Sequence, residues 1–230
     1  NEFEKGILES RHIPLITNAL AEVTGKPGSV KIVLKEEDAM LSPETATPNA
    51  SHSIVDDKVS SYQNSSMNPK YTFDTFVVGE NNRFAHAACV AVSEAPSERY
   101  NPLFIYGGVG LGKTHLVQAV GNELLKNNPA AKVRYMHSDE YIRSFLDAVR
   151  TKNYDVFKQQ YKQYDLLIID DIQFIKGKDR TMEEFFYLYN HFHNEKKQLI
   201  LTCDVLPAKI EDMDDRLKSR FSWGLTVELE

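Results

Sequence analysis

The chain has 230 residues, 42% of them hydrophobic, which is enough for a globular domain with a substantial core. Its formal net charge of −6 argues against a protein that coats nucleic acid through bulk positive charge, so such contacts must come from local basic clusters. Cys89 and Cys203 lack metal or disulfide spacing, no apolar run approaches membrane-spanning length, and residues 1–30 lack a secretion signal. We therefore expect a cytoplasmic protein whose cysteines pack as small apolar residues.

The first 70 residues divide into two regions, and neither region shows a catalytic pattern. In residues 1–40 apolar side chains recur at helical spacing and then alternate with lysines, which predicts a partial α+β interaction domain. Residues 41–70 are rich in Ser, Thr, Pro and Asn and predict a disordered, flexible linker. The chain starts at Asn1 inside an already patterned segment, so we expect it to be a fragment at that end.

An aromatic and β-branched segment follows at residues 71–79. Val77 and Val78 could form a wall against the adenine ring of a nucleotide. Plain core packing of Phe73, Phe76 and Val78 explains the same pattern, and the sequence leaves both interpretations open.

Residues 103–117 combine a short apolar run, a glycine loop with the spacing G-x-x-x-x-G-K-T and the start of a helical pattern. Residues without a Cβ let backbone N–H groups turn toward a polyphosphate at the helix amino terminus. Lys113 can reach the β- and γ-phosphates, and the Thr114 hydroxyl can ligate Mg²⁺. A chance glycine turn before a lysine is disfavoured by the flanking strand and helix. The predicted nucleotide-binding residues are Gly107, Gly108, Gly110, Gly112, Lys113 and Thr114.

Helical and strand-like segments then alternate, which predicts an α/β fold with a parallel sheet and flanking helices. Helices are predicted at 114–125, 139–149, 154–164 and 181–194, strands at 133–136, 166–169 and 199–202, and a polar hairpin-like turn at 176–180. The aromatic residues of the last helix fit core packing better than base stacking.

Acidic residues follow two of the buried strands. Asp170 could hold Mg²⁺ through water and Asp171 could polarise the attacking water, because ligands of α/β folds bind at the carboxyl ends of strands. The alternative is that both acids cap the next helix. Beyond the following strand, Thr202 or Asp204 could sense the γ-phosphate, or simply cap the strand.

A last cluster, residues 214–221, places arginines on a short helix that cannot easily bend back to the phosphates of its own site. They could act on a neighbouring subunit, where a guanidinium stabilises charge on the transferring phosphoryl group. A solvated basic helix face is the alternative.

Taken together, the motifs GGVGLGKTH, LLIIDDIQF, LTCD and DRLKSRFSWGLTVE, in this order, resemble the AAA+ domain of the DnaA family of bacterial chromosomal replication initiators. The resemblance covers about residues 71–230. It implies that 1–40 correspond to the second half of the helicase-contacting amino-terminal domain and 41–70 to the variable linker. It also implies that the chain lacks the AAA+ lid and the helix-turn-helix domain that reads duplex DNA.

The resemblance implies roles for individual residues. Asp170 falls on the Mg²⁺-holding acid, and Asp171 on the water-activating acid, where most AAA+ ATPases have Glu; a shorter acid suits slow hydrolysis used as a timer. Asp204 falls at the sensor position, and Lys113 falls on the ATP-binding loop. Arg220 falls on the arginine finger that reads ATP in the neighbouring subunit.

The resemblance also implies a DNA-contacting surface. The helices from 139 to 161 resemble the initiator-specific insertion that steers subunits into a filament. Leu146, Lys178 and Arg180 fall on positions that line a channel for single-stranded origin DNA. Other implied partners are the replicative helicase and acidic phospholipids, with the protein located at the nucleoid.

The expected function is therefore ATP-dependent initiation of replication with ATP and Mg²⁺ as cofactors and hydrolysis as the off switch. One alternative is a helicase loader or a regulatory paralogue that acts as an adaptor. A metabolic P-loop kinase is a weaker one, because the sequence shows no pocket for an acceptor substrate.

Overall fold

A computed structural model describes residues 65–230; the module predicted at 1–40 and most of the predicted linker lie outside this range. The described chain forms a five-stranded parallel sheet in the order β2-β3-β4-β1-β5 with helices on both faces. In chain order the elements are α1 (Arg83–Glu94), β1 (Leu103–Tyr106), α2 (Lys113–Asn127), β2 (Val133–His137), α3 (Ser138–Thr151), α4 (Tyr154–Lys162), β3 (Leu166–Asp170), α5 (Asp179–Asn194), β4 (Gln198–Cys203), α6 (Asp215–Phe221) and β5 (Leu225–Glu228), with 3₁₀ turns at Ile172–Ile175 and Pro207–Lys209.

The two strands with continuous apolar sequence, β3 and β4, are buried along their whole length and pair with each other in the middle of the sheet. β1 lies on the other side of β4, and the register aligns Tyr106 with Cys203. The phosphate loop after β1, the acids after β3 and Asp204 after β4 therefore leave the sheet at one edge. The predicted α/β parallel sheet is confirmed.

Each face of the sheet carries its own hydrophobic core. On one face α1 and α2 pack over the inner side chains of β1, β3 and β4. On the other face the aromatic side of α5 packs with α3, α4 and α6, and the Phe221 ring lies 5.4 Å from Phe104 and 6.1 Å from Phe185 between centroids. Because aromatic groups of this size dominate core energetics, the two cores fix the helices that carry the site residues. Cys89 and Cys203 are buried free thiols, as predicted.

Two predicted boundaries differ from the structure. Residues 65–70, assigned by composition to the linker, pack on α2: Met67 is buried, and the Asn68 backbone N–H donates to Gln118 Oε1 at 2.7 Å. The hairpin-like turn predicted at 176–180 is wrong, because α5 already begins at Asp179 and the turn joins two helices. Gly177, with φ +67°, supplies the reversal between them.

The segment 71–79 is a series of turns without a strand. Phe73 and Phe76 pack against the core that contains α1 and α2, which confirms the core interpretation for these two rings. Val78 is 47% exposed, so that interpretation is wrong for Val78. Of the helices found in 65–230, none has both the length and the apolar character that crossing a membrane requires.

Candidate nucleotide site and arginine face

The glycine loop joins β1 to α2 in the conformation that the sequence predicts. Gly112 has φ +97° and precedes the first residue of α2, and a Cβ on it would lie 3.0 Å from the Phe76 ring. Its carbonyl accepts the first helical hydrogen bond from Leu116 N–H at 2.9 Å. The unpaired N–H groups at the start of α2 therefore lie at the loop, where they can bind anions.

Lys113 lies at the centre of the loop and is only 7% exposed. Its Nζ donates to the carbonyl oxygens of Gly107 at 2.7 Å and Gly108 at 2.9 Å. It also pairs with Asp204 Oδ1 at 2.9 Å. The predicted phosphate-binding lysine and the predicted sensor acid, which are 91 residues apart in sequence, are therefore in direct contact.

Asp170 ends β3 and is 2% exposed. Its carboxylate accepts hydrogen bonds from three hydroxyl groups: Thr114 at 2.6 Å, Tyr135 at 2.8 Å and Thr202. Burial and the adjacent Asp170 raise the pKa of Tyr135, so this hydroxyl remains a donor. The Thr114 hydroxyl and the Asp170 carboxylate are neighbouring oxygen ligands of the kind that Mg²⁺ prefers, so the residues fit this metal.

Asp171 has a left-handed backbone conformation, with φ +57°, and its carboxylate has different partners from that of Asp170. Its Oδ2 lies 2.8 Å from His137 Nε2, and its backbone N–H donates to Thr202 Oγ1 at 2.8 Å. The Gln173 amide donates to Asp171 Oδ1 at 3.2 Å and to Asp204 Oδ2 at 3.0 Å. The acids at the ends of β3 and β4 therefore form one network.

An open cleft of about 500 Å³ lies beside this network. The predicted site residues that line it are Gly110, Gly112, Lys113, Thr114, Asp171 and Asp204. Val77 and Val78 are exposed and lie on a loop that Asn82 holds through hydrogen bonds to Val77 O and Gly79 N. They do not line this cleft, and their adenine contact remains a prediction.

Sequence reasoning missed three polar side chains of the site: Tyr135, His137 and Gln173. Tyr135 and His137 are the polar residues near the carboxyl end of β2, and His137 is aligned with Asp170 across the sheet. Their position at a strand end was the available signal, but it needed the knowledge that β2 is the neighbour of β3. Thr202, which the sequence offered as an alternative to Asp204, contacts both Asp170 and Asp171.

The second region, which we call the arginine face, comprises Arg216 and Arg220 of α6 with the rings of Phe186 and Trp223. Arg216 is paired with Asp214, at 2.7 Å between Nη2 and Oδ2, and its guanidinium carbon lies 5.0 Å from the Phe186 centroid. The Arg220 guanidinium carbon lies 3.7 Å from the Trp223 centroid and 5.7 Å from that of Phe186. Within residues 65–230, no carboxylate lies within 4 Å of the Arg220 guanidinium.

The arginine face and the phosphate loop lie at opposite edges of the sheet. α6 ends just before the amino end of β5, where Leu225 N–H donates to Pro102 O at 3.0 Å. The phosphate loop instead follows the carboxyl end of β1, about 10 Å further along the strands. Arg220 and the phosphate loop of the same chain therefore lie at opposite ends of the strands.

The predicted DNA-contacting residues are all exposed. Leu146 projects from α3. Lys178 directly precedes α5, and its Nζ donates to Phe174 O of the preceding 3₁₀ turn at 2.6 Å. Arg180 lines a shallow surface cleft with Phe145, the residue before Leu146, and with Tyr154. Their DNA contacts remain predictions.

Comparisons with known proteins identify the family to which the chain belongs. Residues 67–228 match the family model described as the bacterial DnaA ATPase domain. The chain is 77% identical over 220 residues to the chromosomal replication initiator protein DnaA of Neisseria meningitidis serogroup B, covering 96% of this chain and 40% of the relative. It therefore spans about two fifths of the length of that protein.

Two solved structures share the fold at 43% sequence identity. Domain III of the Thermotoga maritima replication initiation protein DnaA matches with a TM-score of 0.71 over 72% of this chain and 69% of that one. A replication initiator DnaA bound to AMPPCP and single-stranded DNA matches with a TM-score of 0.69 over 72% of this chain and 51% of that one. The chain therefore belongs to the bacterial DnaA ATPase-domain family of AAA+ proteins.

Proposed function

We propose that this chain is the ATP-controlled part of a bacterial replication initiator, in which bound ATP permits assembly on the origin and hydrolysis ends it. The observation that carries the proposal is the division of the machinery between two edges of one sheet. Lys113, Thr114, Asp170, Asp171 and Asp204 lie together at one edge, whereas the stacked arginine lies at the other.

In the nucleotide site each side chain has a separate task. Lys113 would donate to the β- and γ-phosphates, and the N–H groups at the start of α2 would bind the remaining phosphate oxygens. Thr114 and Asp170 would hold Mg²⁺, which neutralises charge on the phosphates. Asp171, oriented by Gln173 and the adjacent His137, would accept a hydrogen bond from the attacking water.

The identity of Asp171 should also affect the rate of ATP hydrolysis. An aspartate is one methylene shorter than the glutamate at this position in most AAA+ ATPases, so it holds the water less closely. Slow hydrolysis suits a switch, because the ATP-bound state then lasts long enough for assembly. Val77 and Val78, which are exposed near the start of α1, would contact the adenine ring.

Arg220 would bind the phosphates held by the next copy of the chain. Since the two functional edges of one chain face away from each other, each copy can offer its cleft to one neighbour and its arginine to another. Such head-to-tail contacts generate a filament when the rotation between copies does not close a ring. ATP would therefore act as part of the contact between subunits.

The AMPPCP-bound and single-strand-bound relative supports ATP and one origin strand as ligands. Leu146 would contact the strand through its apolar side chain, and Lys178 and Arg180 through phosphate oxygens. Contacts of the complete protein with duplex origin DNA, with the replicative helicase and with acidic phospholipids, and its location at the nucleoid in the cytoplasm, belong to the same proposal.

The proposal is tested with the full-length protein on a duplex that carries its origin, with strand opening followed by permanganate reactivity. We expect opening with ATP, none with ADP, and none with ATP for Arg220→Ala, whose affinity for ATP should stay near the normal value. Opening by Arg220→Ala at the normal ATP concentration would contradict the role in trans.

A helicase loader or adaptor is the alternative from another functional class. The match to the ATPase domain of the initiator family does not favour it. The same assay separates the two, because a loader would bind the origin duplex only in the presence of helicase.

A further inference from the structure

We propose that Trp223 is a positioning residue that holds the Arg220 guanidinium in the orientation needed to reach a phosphate bound by a neighbouring copy. The inference rests on the proposed role of Arg220 in trans and deepens it. The central observation is that the Arg220 guanidinium carbon lies 3.7 Å from the centroid of an indole ring that is itself 55% exposed.

The stacking explains how the half-buried Arg220 can keep one position. In the described part of the chain neither an ion pair nor a side-chain hydrogen bond is found for the Arg220 guanidinium, whereas Arg216 is tied to Asp214 through three contacts. A ring on the face of a guanidinium restrains the group without using its N–H donors, which lie in the plane of the fork. The donors of Arg220 are therefore restrained and still available.

The backbone fixes the ring in turn. Trp223 N–H donates to the carbonyl of Arg220 itself at 3.1 Å, so that the two residues form one turn after α6. Gly224, which follows this turn, packs closely against another segment, because a Cβ there would lie 1.9 Å from Pro102 O. On the other side the His193 ring contacts the indole, with 5.7 Å between centroids. These contacts, near the amino end of β5, therefore fix the position of the Trp223 ring.

A pre-oriented arginine matters because ordering a long flexible side chain at an interface weakens association. A cation–π contact of this kind changes an equilibrium by roughly 2- to 30-fold, more when it is shielded from water. The contact would be shielded further once a neighbouring copy covers it. We therefore expect Trp223 to affect assembly, and not the binding of ATP to a single copy.

The test compares Trp223→Ala, Trp223→Phe and Ser222→Ala in the full-length protein, with ATP-dependent assembly measured by sedimentation velocity. Trp223→Ala should weaken assembly roughly 2- to 30-fold, Trp223→Phe should recover most of the loss, and Ser222→Ala should behave like the wild type. The affinity for ATP should be unchanged in all three. Wild-type assembly of Trp223→Ala, or no recovery with Trp223→Phe, would overturn the inference.

Combining the substitution with Arg220→Ala separates this inference from the proposed function. If Trp223 acts through Arg220, adding Trp223→Ala to Arg220→Ala should cause no further loss of assembly. A further loss would mean that the ring acts through another contact, which contradicts the inference alone. Normal assembly of the single Arg220→Ala variant would instead contradict the proposed function.

A spectroscopic measurement examines the stack directly. Trp223 is the only tryptophan of the 230-residue chain, so its fluorescence reports the contact without interference. Arg220→Ala should change the intensity and position of the emission, and the control Ser222→Ala should leave both unchanged. Identical emission from the wild type and Arg220→Ala would show that the two side chains are not stacked.

Discussion

The nucleotide cleft and the arginine face differ in how their charged side chains are partnered. In the cleft, Lys113 contacts Asp204 and two loop carbonyls, and Asp170 accepts from three hydroxyl groups. On the arginine face, Arg220 is stacked on rings and its N–H donors have no acceptor among residues 65–230. The charged side chains of the first region therefore have partners within one chain, whereas the Arg220 guanidinium has no anionic partner among residues 65–230.

The largest expected effect follows from removing the cation of the cleft. Lys113→Ala should lower the affinity for ATP by roughly 100-fold or more, because hydrogen bonds to charged groups contribute about 1.5–3 kcal/mol each and the phosphates lose this donor. Isothermal titration calorimetry measures the change. Lys126→Ala is the matched control, since Lys126 is an exposed lysine of the same helix that pairs with Glu123 at 3.1 Å. An affinity within twofold of the wild type would contradict the assignment.

A smaller effect is expected from the hydroxyl group that joins the two acids. Thr202→Val leaves the buried Asp170 carboxylate with one donor fewer and the Asp171 N–H without its acceptor. It should reduce the free energy of unfolding by about 1–3 kcal/mol, measured by urea denaturation. Thr202→Ser keeps the hydroxyl and should lose much less. Equal losses from both substitutions would show that the methyl group, and not the hydrogen bonds, is what matters.

The smallest effect is expected from the hydrogen bond that joins α5 to the backbone of the arginine face. The Tyr189 hydroxyl donates to Arg220 O at 3.0 Å, and burial raises its pKa to about 12, an effect that the nearby Arg220 charge partly offsets. Tyr189→Phe should reduce the free energy of unfolding by about 0.5–1.5 kcal/mol near neutral pH.

The stability difference between the wild type and Tyr189→Phe should also depend on pH. The pKa of Tyr189 is raised in the folded state, so its contribution is complete below pH 10, the ordinary value for tyrosine, and is lost as the pH rises toward 12. The stability difference between wild type and Tyr189→Phe should therefore shrink between pH 10 and pH 12 in urea denaturation. A difference that stays constant or grows over this range would contradict the raised pKa of Tyr189.

The contrast between the two regions also explains what the sequence could predict. Three sequence features each predict an element that ends at the same edge of the sheet. They are the glycine spacing, the buried run before Asp170 and Asp171, and the run before Asp204. Once a parallel sheet is inferred, these side chains must converge. The convergence of these side chains was therefore predictable without knowledge of the strand order.

The remaining contacts depend on neighbours that sequence does not specify. Tyr135 and His137 reach the acids only because β2 pairs with β3. The motifs in the sequence do not specify this strand order. The position of Trp223 over Arg220 likewise requires the turn that Gly224 permits against Pro102. For Val78 the sequence pattern fitted both a core position and a ligand surface, and only the structure shows that this side chain is exposed.

The central claim is that nucleotide is held by one copy and sensed by the next. The most direct measurement is the rate of ATP hydrolysis in a mixture of two inactive full-length variants, Lys113→Ala and Arg220→Ala. The first keeps the arginine but should not bind ATP, and the second binds ATP but lacks the arginine. We predict that the mixture hydrolyses ATP faster than either variant alone, because paired copies form a composite site. Hydrolysis in the mixture no faster than the sum of the separate variants would contradict the claim.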